Sequence, residues 1–206
     1  MIIGIVGLIG SGKGTVGDIL IEQGFEHESF ANSLKDAASS VFNWDRELLE
    51  GITPKSRAWR EGVDEWWSER LGIPNFSPRV ALQLLGTDVF RNHFHQDIWI
   101  LGLESRIKNS TNNIVLTDAR FPNEIDMVRR LGGVIVRVKR GDDPAWFNFA
   151  ATQPENMFQV HPDIHASEYS WVGVTPNYLI TNDGTMEDLN TVVTDLLQDL
   201  LGSNPT

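Results

Sequence analysis

Residues Gly7 to Thr15 read GLIGSGKGT. Gly7, Gly12 and Lys13 stand at the spacing of a phosphate-binding loop, with Gly14 where a serine or threonine usually follows the lysine and Thr15 one place later. The loop comes straight after an apolar run, Ile2 to Val6, and leads into Val16, Ile19 and Leu20 at helical spacing, with Gly24 as a stop. Strand, glycine loop and helix in that order aim backbone N–H groups and a helix N-terminus at one place, where phosphate oxygens bind. A glycine-rich turn needed only for packing gives no reason for a lysine flanked by glycines at the loop tip.

The rest of the chain continues the alternation. A short strand is expected within Phe25 to Phe30, then a helix with Leu34, Ala37, Ala38, Val41 and Phe42 on one stripe. From Asn43 to Pro78 the sequence is rich in tryptophan and arginine; Trp59, Val63, Trp66 and Trp67 fall at helical spacing but Gly51, Pro54, Gly72 and Pro74 interrupt it, so this reads as an inserted, partly helical subregion. Ser77 and Pro78 signal a helix start, with Ala81, Leu84, Leu85 and Val89 on its face despite Gly86, and a further helix covers Asp97 to Lys108. Asn113 to Asp118 (NIVLTD) is an apolar run ending in a carboxylate, as a buried parallel strand ends at the functional edge of a sheet.

Pro122 then opens a helix through Ile125 and Val128, Gly132 and Gly133 close it, and Val134 to Val138 is a strand. Gly141 to Pro176 has prolines, aromatics and histidines but no sustained period, which suits a mobile loop or lid more than a core element. Asn177 to Thr181 is a last strand, and Thr185 with Asp188 forms a capping box ahead of a helix lined by Leu189, Val192, Val193, Leu196, Leu197 and Leu200.

Bulk properties narrow the function. With 206 residues, 41% of them hydrophobic, one domain can bury a continuous core unaided. A net charge of -11 argues against a nonspecific grip on nucleic acid, which needs broad basic surface, and leaves room for a local cationic pocket. The absence of cysteine excludes disulfide frameworks, thiolate metal sites and thiol nucleophiles, and permits a reducing compartment. No apolar stretch has the length of a membrane span, and the N-terminus lacks the basic start and apolar segment of a signal peptide, so the cytoplasm is the expected location.

Phosphoryl transfer asks a protein for alignment and for cations around the migrating group. Lys13 is expected on the β and γ phosphates, Thr15 on a phosphate or on magnesium, Asp118 on the magnesium hydration shell and Arg120 across donor and acceptor phosphates. Read blandly, Asp118 and Arg120 are a helix N-terminal carboxylate and a surface arginine, which leaves the loop without a metal partner.

Several separated segments together resemble the bacteriophage deoxynucleoside monophosphate kinases, a branch of the P-loop nucleoside monophosphate kinase fold. They are GLIGSGKGT, FANSLKDA from Phe30, RVALQLLGTD from Arg79, IW at Ile98, VLTDARFPNE from Val115, VKRGD from Val138, HASE at His165 and LITNDGTMEDL from Leu179. The resemblance implies an α/β fold with a central, mainly parallel sheet flanked by helices, all within one domain, 1–206. A helical acceptor-binding insertion would lie at about 31–110 and a lid at about 141–176.

It also implies ATP with magnesium as donor and a deoxynucleoside monophosphate as acceptor, with no nucleic acid or membrane partner. The host cytoplasm would be the setting and a homodimer the analogous assembly. Donor phosphates would lie on Gly10, Ser11, Gly12, Lys13, Gly14 and Thr15, the adenine against Asn182, Asp183 and Gly184, and the acceptor against Leu34, Lys35, Arg79, Gln83 and Trp99. Arg140 would reach the phosphates from the lid. His165 and Glu168 match a lid pattern with Ser167 in place of threonine; a metal site made of them with His161 is the lesser reading, a stabilised lid corner the better one.

Gly10 stands where the family can carry a basic residue, and the insertion between Asn43 and Pro78 differs from the family's, which leaves the preferred base open. Alternative functions are another small-molecule kinase of the same fold, such as one resembling dephospho-coenzyme A kinases, and a nucleotide-gated binding module or ATPase.

Overall fold

A computed structural model of the chain describes residues 1–202. It divides into two compact units, one made of Met1–Ser29 with the chain from Ile107 onward and the other of Phe30–Arg106. No helix among the described residues is long and apolar enough to cross a membrane.

The first unit opens with β1 (Ile2–Val6), α1 (Lys13–Glu22) and β2 (Glu26–Glu28). The second holds α2 (Asn32–Phe42), α3 (Pro54–Glu61), α4 (Glu65–Leu71), α5 (Pro78–Gln83) and nearly all of α6 (Ile98–Ile107). The first unit resumes with β3 (Ile114–Leu116), α7 (Pro122–Arg130), β4 (Val134–Lys139), α8 (Phe147–Thr152), α9 (Met157–Val160), α10 (Ala166–Tyr169), β5 (Tyr178–Thr181) and α11 (Met186–Gly202).

The five strands form one fully parallel sheet in the order β2-β3-β1-β4-β5. β1 has all five residues buried, as a strand covered on both faces must. Ile3 and Ile5 point into a core with Val16, Ile19 and Leu20 of α1 and Leu189, Val193 and Leu196 of α11. On the opposite face a Cβ at Gly4 would stand 3.0 Å from Ile135 Cδ1 and 3.2 Å from Val128, so the glycine lets α7 lie close. Parallel crossovers are right-handed. The connection from β1 runs outward to β2 and that from β3 runs back past β1 to β4, so the two cover opposite faces. Their divergence opens a crevice at the carboxyl ends of β1 and β3, where α/β sheets bind ligands.

Capping follows the local sequence. Thr185 and Asp188 exchange backbone bonds at the start of α11, Ser77 accepts from Val80 N ahead of Pro78, and Glu124 closes the first turn of α7. Between Gly141 and Pro176, where a mobile loop or lid is expected, the chain is folded. This segment carries α8 to α10 and buries Phe147, Ala150, Met157 and Trp171. Arg137 of β4 explains why: its guanidinium lies 4.4 Å from the Phe147 ring centre and 5.5 Å from that of Trp171, and it pairs with Asp143. A cation inside a strand is thus the post around which the segment folds.

In the second unit Phe42 stacks on Trp44 at 4.4 Å and meets Trp67 edge-on at 5.0 Å, with Phe76, Leu49 and Ala81 completing the core. Val41 and Trp66, on the expected stripes, are exposed instead. The helix from Pro78 keeps α geometry only to Gln83; from Leu84 to Phe94 it is a π-helix, and Val89 turns outward. Two contacts coincide with the change. A Cβ at Gly86 would stand 2.8 Å from Leu34 Cδ2, and the Gly86 carbonyl accepts from Trp99 Nε1 at 2.9 Å, a partner outside the helical ladder.

Asp64 ties the aromatic cluster to α4. Its Oδ2 accepts from Trp44 Nε1 at 2.9 Å and its Oδ1 from Trp67 N at 3.1 Å. Asp64→Ala removes a helix cap and leaves an indole N–H without its acceptor, and should cost about 2 kcal/mol. Urea unfolding followed by tryptophan fluorescence measures this; an unchanged midpoint would deny Asp64 that role.

Candidate active site

The loop after β1 is shaped by contacts only glycine allows. A Cβ at Gly7 would stand 2.3 Å from the Val138 carbonyl oxygen, and one at Gly12, at φ +98°, 2.2 Å from Asn182 Nδ2. Asn182 uses that amide to donate to the Ser11 carbonyl at 2.9 Å, while its own N–H donates to the Lys139 carbonyl at 2.7 Å. Asp183 Oδ1 accepts from Gly141 N at 2.6 Å. The Asn182–Asp183 side chains thus brace the phosphate loop and the exit of β4.

Lys13 folds back over the loop, donating from Nζ to the Gly7 carbonyl at 2.7 Å and to the Leu8 carbonyl at 2.8 Å. Its pKa is lowered, chiefly because burial disfavours the ammonium; Glu168 opposes the shift and Arg120 adds to it. The lysine and Arg120, read from distant segments, therefore share one electrostatic environment. Gly10 and Gly14 have open space where a Cβ would stand, so the missing hydroxyl after Lys13 leaves room and not a collapsed turn. Thr15 is half-buried in the first turn of α1.

Asp118 lies two residues beyond β3, at the edge beside β1. Ser29 Oγ, at the end of β2, donates to its Oδ2 at 2.6 Å. The backbone of the same turn is fixed by Glu124, whose Oε2 accepts from Arg120 N at 2.8 Å and Phe121 N at 3.1 Å, leaving the Arg120 side chain exposed. Ser29 and Glu124 had no signal of their own: one looks like a strand-end serine, the other like the closing residue of a cap.

A cavity of about 610 Å³ opens beside Leu8, Ile9, Gly10 and Ser11, walled by Arg140, Trp146, His165 and Glu168. Glu168 Oε2 accepts from the loop N–H of Ile9 at 3.3 Å. His165 caps α10, its Nδ1 3.2 Å from Ser167 N. Among the described residues no group of three histidine, aspartate or glutamate side chains could hold a metal ion.

The expected acceptor residues lie in the second unit. Lys35, 12% exposed, donates to Glu50 Oε2 at 2.5 Å, and Arg46 reaches the other oxygen of that carboxylate. Burial would raise the Glu50 pKa, but hydrogen bonds from Lys35 and Arg46 hold it below the usual carboxylate value. Arg46, inside the insertion, is a cation of this cluster that no motif announced. Leu34 packs on Gly86; Gln83 is exposed; Trp99 is buried with its N–H on the Gly86 carbonyl; Arg79 is exposed and pairs with Glu61 at 2.5 Å.

A phosphate loop with a buried lysine at the switch point of a parallel sheet, and a carboxylate on the adjacent strand end, defines a P-loop phosphotransferase. The sequence profile of the deoxynucleotide monophosphate kinases matches residues 70–193. The chain is 31% identical to a protein of Acanthamoeba polyphaga mimivirus named for the same kinase, the match covering 68% of this chain and 74% of that one. It is 26% identical to the deoxynucleoside-5'-monophosphate kinase of Escherichia phage T5, over 63% and 72% of the two chains. Among solved structures, a shikimate kinase of Aquifex aeolicus aligns over 99% of this chain and 100% of its own at 12% identity and a TM-score of 0.46. The chain belongs to the deoxynucleotide monophosphate kinase family.

The lowered Lys13 pKa has a kinetic sign. The free enzyme loses the Lys13 proton at a lower pH than an ordinary lysine, so kcat/KM for ATP should fall on the alkaline side before the ordinary lysine range. A profile that stays flat until that range would contradict the burial of the ammonium.

Proposed function

We propose that the chain transfers the γ-phosphoryl group of ATP to a deoxynucleoside monophosphate, giving ADP and a deoxynucleoside diphosphate. The observation that carries this reading is the Lys13 ammonium, buried and folded onto the Gly7 and Leu8 carbonyls at the mouth of β1. There it meets the β and γ oxygens, with N–H groups of Gly10 to Thr15 around the same phosphates. The adenine lies along the backbone of Asn182, Asp183 and Gly184.

Arg120 and Arg140, both exposed, supply mobile positive charge to the migrating group. Thr15 and Asp118 offer the oxygen ligands that suit magnesium, which keeps several waters and takes the rest from polyphosphate. When bound there, magnesium would supply charge neutralisation to the polyphosphate. Ser29 holds the Asp118 carboxylate in one orientation for that purpose.

The acceptor is assigned to the second unit. Lys35, with Arg46 beside it, and Arg79 neutralise its monophosphate by exchanging Glu50 and Glu61 for phosphate oxygens. Gln83 reads a base edge. Leu34 and Trp99 act from beneath, since the pair fixes the π-helical turn at Gly86 on which the base would rest.

The test is ADP formation from ATP and magnesium with each of the four deoxynucleoside monophosphates, and with dephospho-coenzyme A, against an acceptor-free control. Stimulation by one or more of the four is expected; stimulation by dephospho-coenzyme A alone, or ADP release indifferent to acceptor, would replace this reading. Lys13→Ala should lower kcat/KM by about a thousandfold. Arg79→Ala should raise KM for the acceptor by about tenfold with little change in KM for ATP, and an unaltered acceptor KM would remove Arg79 from the acceptor site.

A further inference from the structure

The phosphate loop already holds an anion made by the chain itself. The Ile9 N–H points to Glu168 Oε2 at 3.3 Å, although the two residues are 159 positions apart. Ile9 itself is 84% exposed, so the carboxylate comes to the loop's N–H and not to an apolar partner. Glu168 also faces Lys13 electrostatically, since its charge works to keep the buried ammonium protonated. It lines the same cavity as Leu8, Gly10 and Ser11, with Arg140 and His165 on the wall.

The position is set by structure around it. Glu168 sits in α10, whose first turn is capped by His165 and tightened by Ser170 Oγ donating to the Ala166 carbonyl at 2.7 Å. Phe147 and Trp171, stacked with Arg137, anchor the segment on either side of that turn to β4. The carboxylate is thus presented to the loop by a built corner.

We propose that Glu168 is a counter-anion for the phosphate loop, which an incoming polyphosphate must displace and which thereby sets the affinity for the nucleotide donor. The chemistry follows from what each partner offers. A loop N–H and a lysine ammonium can donate to a carboxylate oxygen or to a phosphate oxygen, not to both in the same place. In the ligand-free protein Glu168 offsets the cost of burying Lys13 and supplies one N–H with its acceptor. When polyphosphate enters it takes the Ile9 N–H and the charge of Lys13, and a carboxylate left beside it would repel it, so Glu168 moves away or stays at a cost. Either way the donor binds more weakly than to the same loop without this charge. The inference rests on the reading of the loop as the donor site.

The test uses inorganic tripolyphosphate, without divalent metal and at slightly acidic pH, so that the Lys13 ammonium stays charged and no metal ligand is in play. Binding to the full chain is measured by calorimetry for wild type, Glu168→Gln and Glu168→Ala. Both variants should bind about two- to fivefold more tightly, the size expected for removal of a part-exposed competing charge, and KM for ATP should fall more than kcat changes. Equal or weaker binding by the variants overturns the inference. The titrations are repeated with magnesium, and a loss of binding by the variants confined to that condition would make Glu168 a metal ligand and also overturns the inference.

If the wild type takes up no tripolyphosphate, the donor-site reading falls and this one with it. A measurement on the unaltered protein guards against variants that fail to fold. The Ile9 amide and the Glu168 side-chain carboxylate resonances should shift together as tripolyphosphate is added; a Glu168 resonance that stays still while Ile9 moves overturns the proposal.

Discussion

Lys13 donates to two carbonyls of its own loop, and most of the first unit is arranged around keeping that clasp in place. A buried ammonium must be hydrogen-bonded, and carbonyls at the end of a strand are the acceptors that cost least to bring near it. To supply them the chain must turn sharply after Val6, which forces Gly7 against the Val138 carbonyl and so fixes β4 beside β1. The turn is then held from outside by Asn182, which reaches from the end of β5 to the Ser11 carbonyl. Sheet order, loop shape and the lysine are one constraint seen from three sides.

The parts of this arrangement that depend on neighbours in sequence were legible. Gly7, Gly12 and Lys13 announce the loop because its backbone tolerates few other residues; Thr185 with Asp188, Ser77 with Pro78, and the apolar run before Asp118 announce helix starts and a strand end for equally local reasons. What stayed hidden depends on residues far apart. Nothing near Ser29 says that it will meet Asp118, 89 positions on, and nothing near Asn182 says that its amide will donate to the Ser11 carbonyl. Nothing within the strand Val134 to Val138 says that two aromatic rings and Asp143 will close over Arg137 and make it the post for a folded segment. The change to a π-helix at Leu84 was equally unreadable, since it coincides with a carbonyl taken by Trp99 from another helix.

The two units handle their cations differently. Lys13 donates to carbonyls of its own loop and feels Glu168 only through its charge, whereas Lys35 and Arg46 pair with Glu50 and Arg79 with Glu61. In a chain with a net charge of -11 carboxylates are abundant, and these cations of the second unit rest in ion pairs. Phosphate affinity in such a protein is a difference between two ion pairs, not the strength of one. For the exposed Arg79 pair the difference is small on either side, because water screens both partners. For Lys35, 12% exposed, the partner that leaves must be replaced by one of equal charge, or the ammonium stands uncompensated in a poorly solvated place. That asymmetry makes Lys35–Glu50, and not Arg79–Glu61, the pair whose exchange carries the larger electrostatic cost.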